Sequence, residues 1–198
     1  MNARLVLLAG LVLGACSSLP DPYVQPVPEP VLRSREQHAA NGNLVRRWSE
    51  IVRHDGPPIA HGRDEAWFTD GQPRYDRSFD QGEPTGHWRS WYASGGLRSD
   101  YAFSGEGLPT EQRFFHENGE TSAVGPARDG IREGVWEFFF DTGRIRKRVT
   151  YRGGEPHGPC TLWHPQGGLR SRGNYANGER VGEWEHWPIV VAEDMVAE

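Results

Sequence analysis

Aromatic and branched residues alternate with polar ones in short runs along most of this chain, and glycine cuts the runs at a fixed interval. Glycines stand at 71, 95, 119, 143 and 167, each 24 residues after the last. In the same frame Trp67, Trp91, Phe115, Phe139, Trp163 and Trp187 form an aromatic column. Gly62, Gly86, Gly134, Gly158 and Gly182 form another, interrupted by Thr110, and Phe79, Phe103, Tyr151 and Tyr175 a third, interrupted by Ala127. Self-similarity at a fixed period marks a repeat architecture in which each unit buries its apolar face against its neighbours. The pairs Asp70-Gly71, Ser94-Gly95, Asn118-Gly119, Thr142-Gly143 and Gln166-Gly167 separate two apolar runs, which predicts a two-residue type I′ turn at each. Gly-x-x-x-Gly links beginning at Gly82, Gly130, Gly154 and Gly178 predict the turns between hairpins. The expected fold is all-β: an elongated, twisted antiparallel meander of tandem 24-residue hairpins over residues 56–187.

With two-residue loops, Tyr92 faces Leu97 and Trp91 faces Arg98, and alternation then sorts the side chains onto two faces. One is the expected packed face, with Trp88, Tyr92, Leu97, Tyr101 and Phe103, then Trp136, Phe138, Phe140, Ile145, Val149 and Tyr151. The other places an arginine against an aromatic ring at Trp67 and Arg74, Trp91 and Arg98, Phe139 and Arg146, and Trp163 and Arg170, with Ser122 opposite Phe115. Guanidinium stacking of this kind stabilises hairpins by about 0.5 to 1 kcal/mol per exposed pair. The same ladder is a candidate binding face for a protein, or for a glycan stacked on Trp67, Trp91 and Trp163.

The chain opens with basic Arg4, an apolar run from Leu5 to Val12 and small residues before Cys16, the pattern of a secretory signal peptide over residues 1–15. Leu13-Gly14-Ala15-Cys16 resembles the bacterial lipobox, whose cysteine is lipidated, and Ser17 in the next position implies the outer membrane. Pro20, Pro22, Pro26, Pro28 and Pro30 make residues 16–30 an extended tether, about 40 Å long at ~3.1 Å per residue. Residues 31–55 read as a degenerate repeat or cap, with Leu44 to Val52 as a strand or a short helix. Residues 188–198 leave the repeat as a last strand or tail.

The 25 glycines suit many tight turns rather than long helices. A formal charge of −5, mixed in sign along the chain, lacks the basic footprint of a nucleic-acid binder. No nucleophile elbow, metalloprotease helix, phosphate loop or calcium loop occurs, and no cofactor, metal site or catalytic residue is expected. His116 and His164 share a column but stand two repeats apart, about 19 Å, too far to share a metal. Cys160 falls in the column of Trp88, Trp136 and Trp184, which predicts a buried apolar side chain rather than a nucleophile.

The recurring pattern Gly-x-Trp-x-x-Trp-Tyr-x-x-Gly-x-Leu, followed by Tyr-x-x-Gly-x-x-x-Gly, resembles the MORN repeat in the bacterial variant of YwqK-type proteins. It is clearest over Gly86 to Phe103 and Gly134 to Gly158, and eroded in the third unit by Thr110, Ala127 and Gly125-Pro126. The resemblance implies protein or lipid contact rather than chemistry. Some relatives of this type are labelled antitoxins, a cytosolic role at odds with the leader. The expected function is therefore a membrane-anchored lipoprotein in the bacterial envelope, facing the periplasm, whose repeat sheet is a non-catalytic platform for an envelope protein. A peptidoglycan or lipid-surface module is the alternative, and an antitoxin-like toxin partner a further one.

Overall fold

A computed structural model of the chain describes residues 29–103 and 110–189. The expected signal peptide, Cys16, nearly all of the proline tether and residues 190–198 lie outside the described residues. The described residues are all-β, without a helix. The strands are β1 (Val31–His38), β2 (Leu44–Val52), β3 (Ile59–Trp67), β4 (Pro73–Asp80), β5 (Glu83–Trp91), β6 (Leu97–Phe103) and β7 (Thr110–Phe115). They continue with β8 (Thr121–Arg128), β9 (Ile131–Arg132), β10 (Gly134–Phe139), β11 (Ile145–Arg152), β12 (Glu155–Trp163), β13 (Leu169–Ala176) and β14 (Glu179–His186). They form one open antiparallel sheet in which each strand pairs with its neighbours in sequence; short β9 extends the β10 side and pairs with β8. Residues 31–52 thus supply the first hairpin of the same sheet.

The two kinds of turn are the reverse of the expectation. At Asn118-Gly119 and its equivalents only the glycine has positive φ, so these are not type I′ turns. Around Gly95, the Gly95 N–H donates to Tyr92 O at 3.0 Å and Tyr92 N–H to Gly96 O at 2.9 Å. This is a three-residue loop whose last residue is left-handed, which glycine adopts without a Cβ penalty. Among the described residues, the true two-residue turns, with both central residues at positive φ, are Gln81-Gly82, Asp129-Gly130, Gly153-Gly154 and Asn177-Gly178. The Gly-x-x-x-Gly motif is therefore a turn followed by a bulge. Its first glycine closes the turn, and its last, such as Gly158 at φ 98°, sits where the ladder between β11 and β12 slips between Val149 and Tyr151.

One face of the sheet holds the core. Trp136, Val149, Cys160 and Ala127 are fully buried there, joined by Ala123 and Tyr151, with Phe114, Phe138, Leu162, Tyr175 and Trp184 packed around them. Rings run across the strands from Phe79 through Trp88, Tyr101, Phe114 and Trp136 to Phe138. Tyr92, Leu97, Phe140 and Ile145 were expected on this face, but they lie at the turn ends, outside the buried cluster. The middle row alternates bulky and smaller residues along the sheet: Asp64, Trp88, Gln112, Trp136, Cys160 and Trp184. Each tryptophan needs a shallow neighbour or a stacking partner, since a single-layer sheet has no opposing layer to fill. Trp136 lies on Gly125 and Trp184 on Gly173. A guanidinium covers each ring, Arg77 over Trp88 at 5.4 Å, Arg132 over Trp136 at 4.5 Å and Arg180 over Trp184 at 4.1 Å. The indole N–H of Trp88 donates to Ser78 O, and that of Trp136 to Pro126 O.

Candidate interaction face

The ladder of aromatic and arginine residues is offset by one residue from the expected register. The three-residue turns shift the strand ends so that Trp67 pairs with Pro73, Trp91 with Leu97, Phe139 with Ile145 and Trp163 with Leu169. One residue further into each hairpin, the register returns to the expected one, as Ser90 pairs with Ser99 and Leu162 with Ser171. The residue skipped in each hairpin is Arg74, Arg98, Arg146 or Arg170, with Ser122 in the third. Each arginine is therefore the extra residue of a β-bulge, and its aromatic faces the two-residue bulge rather than the arginine alone. A bulge re-aims a side chain away from the regular pleat. All four arginines are exposed and make no salt bridge among the described residues, while the four aromatics are half-buried.

Other arginines take the stacking role. Arg47 lies over Trp67 at 5.9 Å, Arg148 over Trp163 at 5.8 Å and Arg172 over Trp187 at 5.8 Å, while Arg98 is 5.9 Å from Tyr92. Arg47, Arg148 and Arg172 are held by carboxylates, Glu36 at 3.0 Å, Glu137 at 2.6 Å and Glu185 at 2.9 Å. Arg63 and Arg89 pair in the same way with Asp76 and Asp100. Arg47, Arg63, Arg89, Arg148 and Arg172 are thus neutralised along the strands, whereas the bulged arginines, like Arg33, Arg128 and Arg152 elsewhere, make no salt bridge among the described residues. Exposed ion pairs of this kind contribute about 0 to 1 kcal/mol each.

The bulge end of the sheet is braced from repeat to repeat. Tyr92 Oη donates to Phe115 O at 2.8 Å, His116 Nε2 to Phe139 O at 3.1 Å and His164 Nε2 to Trp187 O at 2.8 Å. The acceptor in every case is the backbone of the next aromatic in the column. The two histidines share a column because they share this bond, which fixes the Nε2–H tautomer when the ring is neutral. Asn118 adds a bond to Asp141 O at 2.6 Å.

The bulged residues border shallow depressions. Trp67 and Arg74 line one of about 370 Å³ with Arg46 and Tyr75, and Phe139 lines one of about 290 Å³ with Arg113 and Glu120. Arg146, Trp163 and Arg170 come together in another of about 290 Å³ with Phe140, Lys147, Leu162 and Pro165.

A polar cluster on the packed face was not foreseen from the sequence. Asp64, only 4 % exposed, takes Arg77 Nη2 at 2.6 Å, Arg46 Nε at 3.0 Å and the Tyr75 hydroxyl at 3.3 Å. The bond to Asp64 holds the Arg46 guanidinium above its ordinary value. Arg77 is sandwiched against Tyr75 at 4.0 Å and Trp88, and its Nε is buried with no partner among the described residues. The only signal in the sequence is an acid where Trp88 and Trp136 recur. Cys160 is buried as expected, and burial pushes its thiol up.

Residues 132–152 match the family described as the MORN repeat variant. The match covers the bulge at Gly134, β10, a three-residue turn and β11, one complete hairpin of the series. No curated protein matches the chain. The same hairpin recurs along the sheet, so the matched segment, which has MORN-repeat character, is one unit of a repeat series.

Proposed function

We propose that this chain is a lipid-anchored protein of the bacterial envelope whose repeat sheet is a non-catalytic platform for a protein partner. The observation that carries the reading is the row of bulged arginines Arg74, Arg98, Arg146 and Arg170, exposed and unpaired beside half-buried aromatics. Stability alone gives no reason to place a cation where the ladder is broken and then leave it without a carboxylate, when Arg148 and Arg172 nearby are both paired. Arginine beside an aromatic is the pairing enriched at protein interfaces. The sheet offers a long surface for such contacts, as 13 strands in succession span about 58 Å at ~4.8 Å spacing. Anchoring rests on the leader and the lipobox resemblance ending at Cys16.

Two measurements test this reading. Cys16→Ala should release the protein from membranes, and an unchanged membrane fraction without acyl mass on Cys16 removes the anchor from the proposal. Replacing all four bulged arginines by glutamine should abolish cross-linked capture of an envelope protein. Capture at the wild-type level by the still-folded variant would overturn the platform.

A further inference from the structure

The depression between the last two turns of the bulge end brings cations and apolar side chains together, and unlike the one at Trp67 and Arg74, where Asp64 pairs with Arg46, none of its cations makes a salt bridge among the described residues. Its lining contains the exposed Arg146 from β11 and Arg170 from β13, and Lys147, whose ammonium also lies over Phe138 at 5.8 Å and Tyr175 at 5.7 Å, set around Phe140, Leu162, Trp163 and Pro165, with no carboxylate. The cations on either side are spoken for, because Glu137 neutralises Arg148 and Glu185 neutralises Arg172. The rim is held in place. Arg144 Nη1 donates to Pro165 O at 3.3 Å and to Gln166 O at 3.0 Å, tying one turn to the next. His164 ties the second turn to Trp187 O. A preformed notch with a local charge opposite to the −5 of the whole chain is built for an anion with an apolar neighbour.

Resting on the platform reading, we propose that this notch receives a short acidic segment of the partner protein. Carboxylates from that segment meet Arg146, Lys147 and Arg170, and an aromatic or aliphatic side chain between them packs on Trp163 and Phe140. Arginine forks match carboxylates two bonds at a time, which fixes the register of such a segment. An anionic membrane fits the surroundings less well, since the tips of the same row of turns carry exposed Asp70, Glu117, Glu120 and Asp141. Those acids would face a flat anionic surface together with the notch, whereas an inserted peptide avoids them.

The probe is a fluorescein-labelled peptide Glu-Glu-Phe-Glu-Glu, titrated against the full chain in detergent and followed by anisotropy. The all-glutamine counterpart peptide and phosphatidylglycerol vesicles are run beside it. Saturable binding is expected for the acidic peptide, weakened about tenfold by Arg146→Gln with Arg170→Gln and by glutamine in the peptide. Arg74→Gln with Arg98→Gln, at the other end of the row, should leave the affinity unchanged. Arg170→Lys, which keeps the charge and loses the fork, should fall between. Equal binding of the all-glutamine peptide overturns the proposal, as does full affinity in the folded Arg146→Gln, Arg170→Gln variant. So does vesicle binding that depends on Arg146 and Arg170 while the peptide fails to bind. If envelope-protein capture survives that double variant and disappears only when all four arginines are changed, the notch is wrong and the platform stands.

Discussion

The indole of Trp136 occupies the space of a missing side chain at Gly125, where a Cβ would stand 2.5 Å from the ring atoms Cγ and Cδ2. The backbone beneath cannot move freely, because Glu137 and Phe138 pair directly with Val124 and Ala123. Gly125→Ala should therefore cost about 2 to 3 kcal/mol in chemical denaturation. Trp136→Leu added to Gly125→Ala should cost less than the sum of the two single changes, because the smaller side chain relieves the clash. Strict additivity would show that the contact is not tight.

The staple from His116 to Phe139 O gives a second prediction. His116→Phe keeps the ring volume and removes the donor, leaving the carbonyl to water, and should lower stability by about 1 kcal/mol. His116→Gln, which keeps a donor, should recover part of it. Equal melting temperatures for the wild type and His116→Phe would remove the staple from the account of how hairpins are held in line.

Acid sensitivity is expected at the N-terminal hairpin. Arg35 Nε at 2.8 Å and then the Trp48 indole N–H at 3.2 Å hold the Glu50 carboxylate below its ordinary value of 4.5. A carboxylate with a depressed folded value contributes stability that is fully present above the unfolded value and is lost as pH falls through the folded one. Glu50→Gln should therefore flatten the loss of stability below about pH 4.5 and leave the neutral plateau with a constant offset. Unchanged steepness on the acid side would contradict this.

Cys160 should resist alkylation in the folded protein. It is fully buried beside Val149, its partner across the β11–β12 ladder, and burial disfavours the thiolate that reacts. Mass analysis of the peptide containing Cys160 should find little iodoacetamide adduct under native conditions and complete modification in denaturant. Rapid labelling of the native chain would place the thiol at the surface.

The period-24 glycines and the alternation of the apolar residues made the sheet, its hairpins and most of the packed face legible in the sequence. Turn identity was not. Asn118-Gly119 and Asn177-Gly178 look alike as dipeptides, yet only the second adopts positive φ at both residues. The difference lies in the strand register on either side, and a dipeptide cannot report it. That single-residue difference also moved Arg98 from a place opposite Trp91 to a bulge beside it. The candidate residues were visible as a column, but their exposure and lack of partners depend on where the ladder slips. The cluster around Asp64 was hidden for another reason, since Arg46 and Arg77 reach it from two different strands, β2 and β4.

The alternation along the middle row bears on what the heritable building block of this sheet is. Trp88, Trp136 and Trp184 recur every 48 residues, and Gly125 and Gly173, the seats of the last two, keep the same interval. Excising one 24-residue hairpin between β6 and β10 would join Trp136 to the strand of Tyr101 instead of Gly125, setting one large ring on another. Excising two hairpins, β7 to β11, would bring Cys160 to the place of Gln112 beside Tyr101 and leave Trp184 on Gly173. Growth or shrinkage of such a protein by duplication should therefore proceed in pairs of hairpins, and designed shorter or longer versions should be cut at the same 48-residue step.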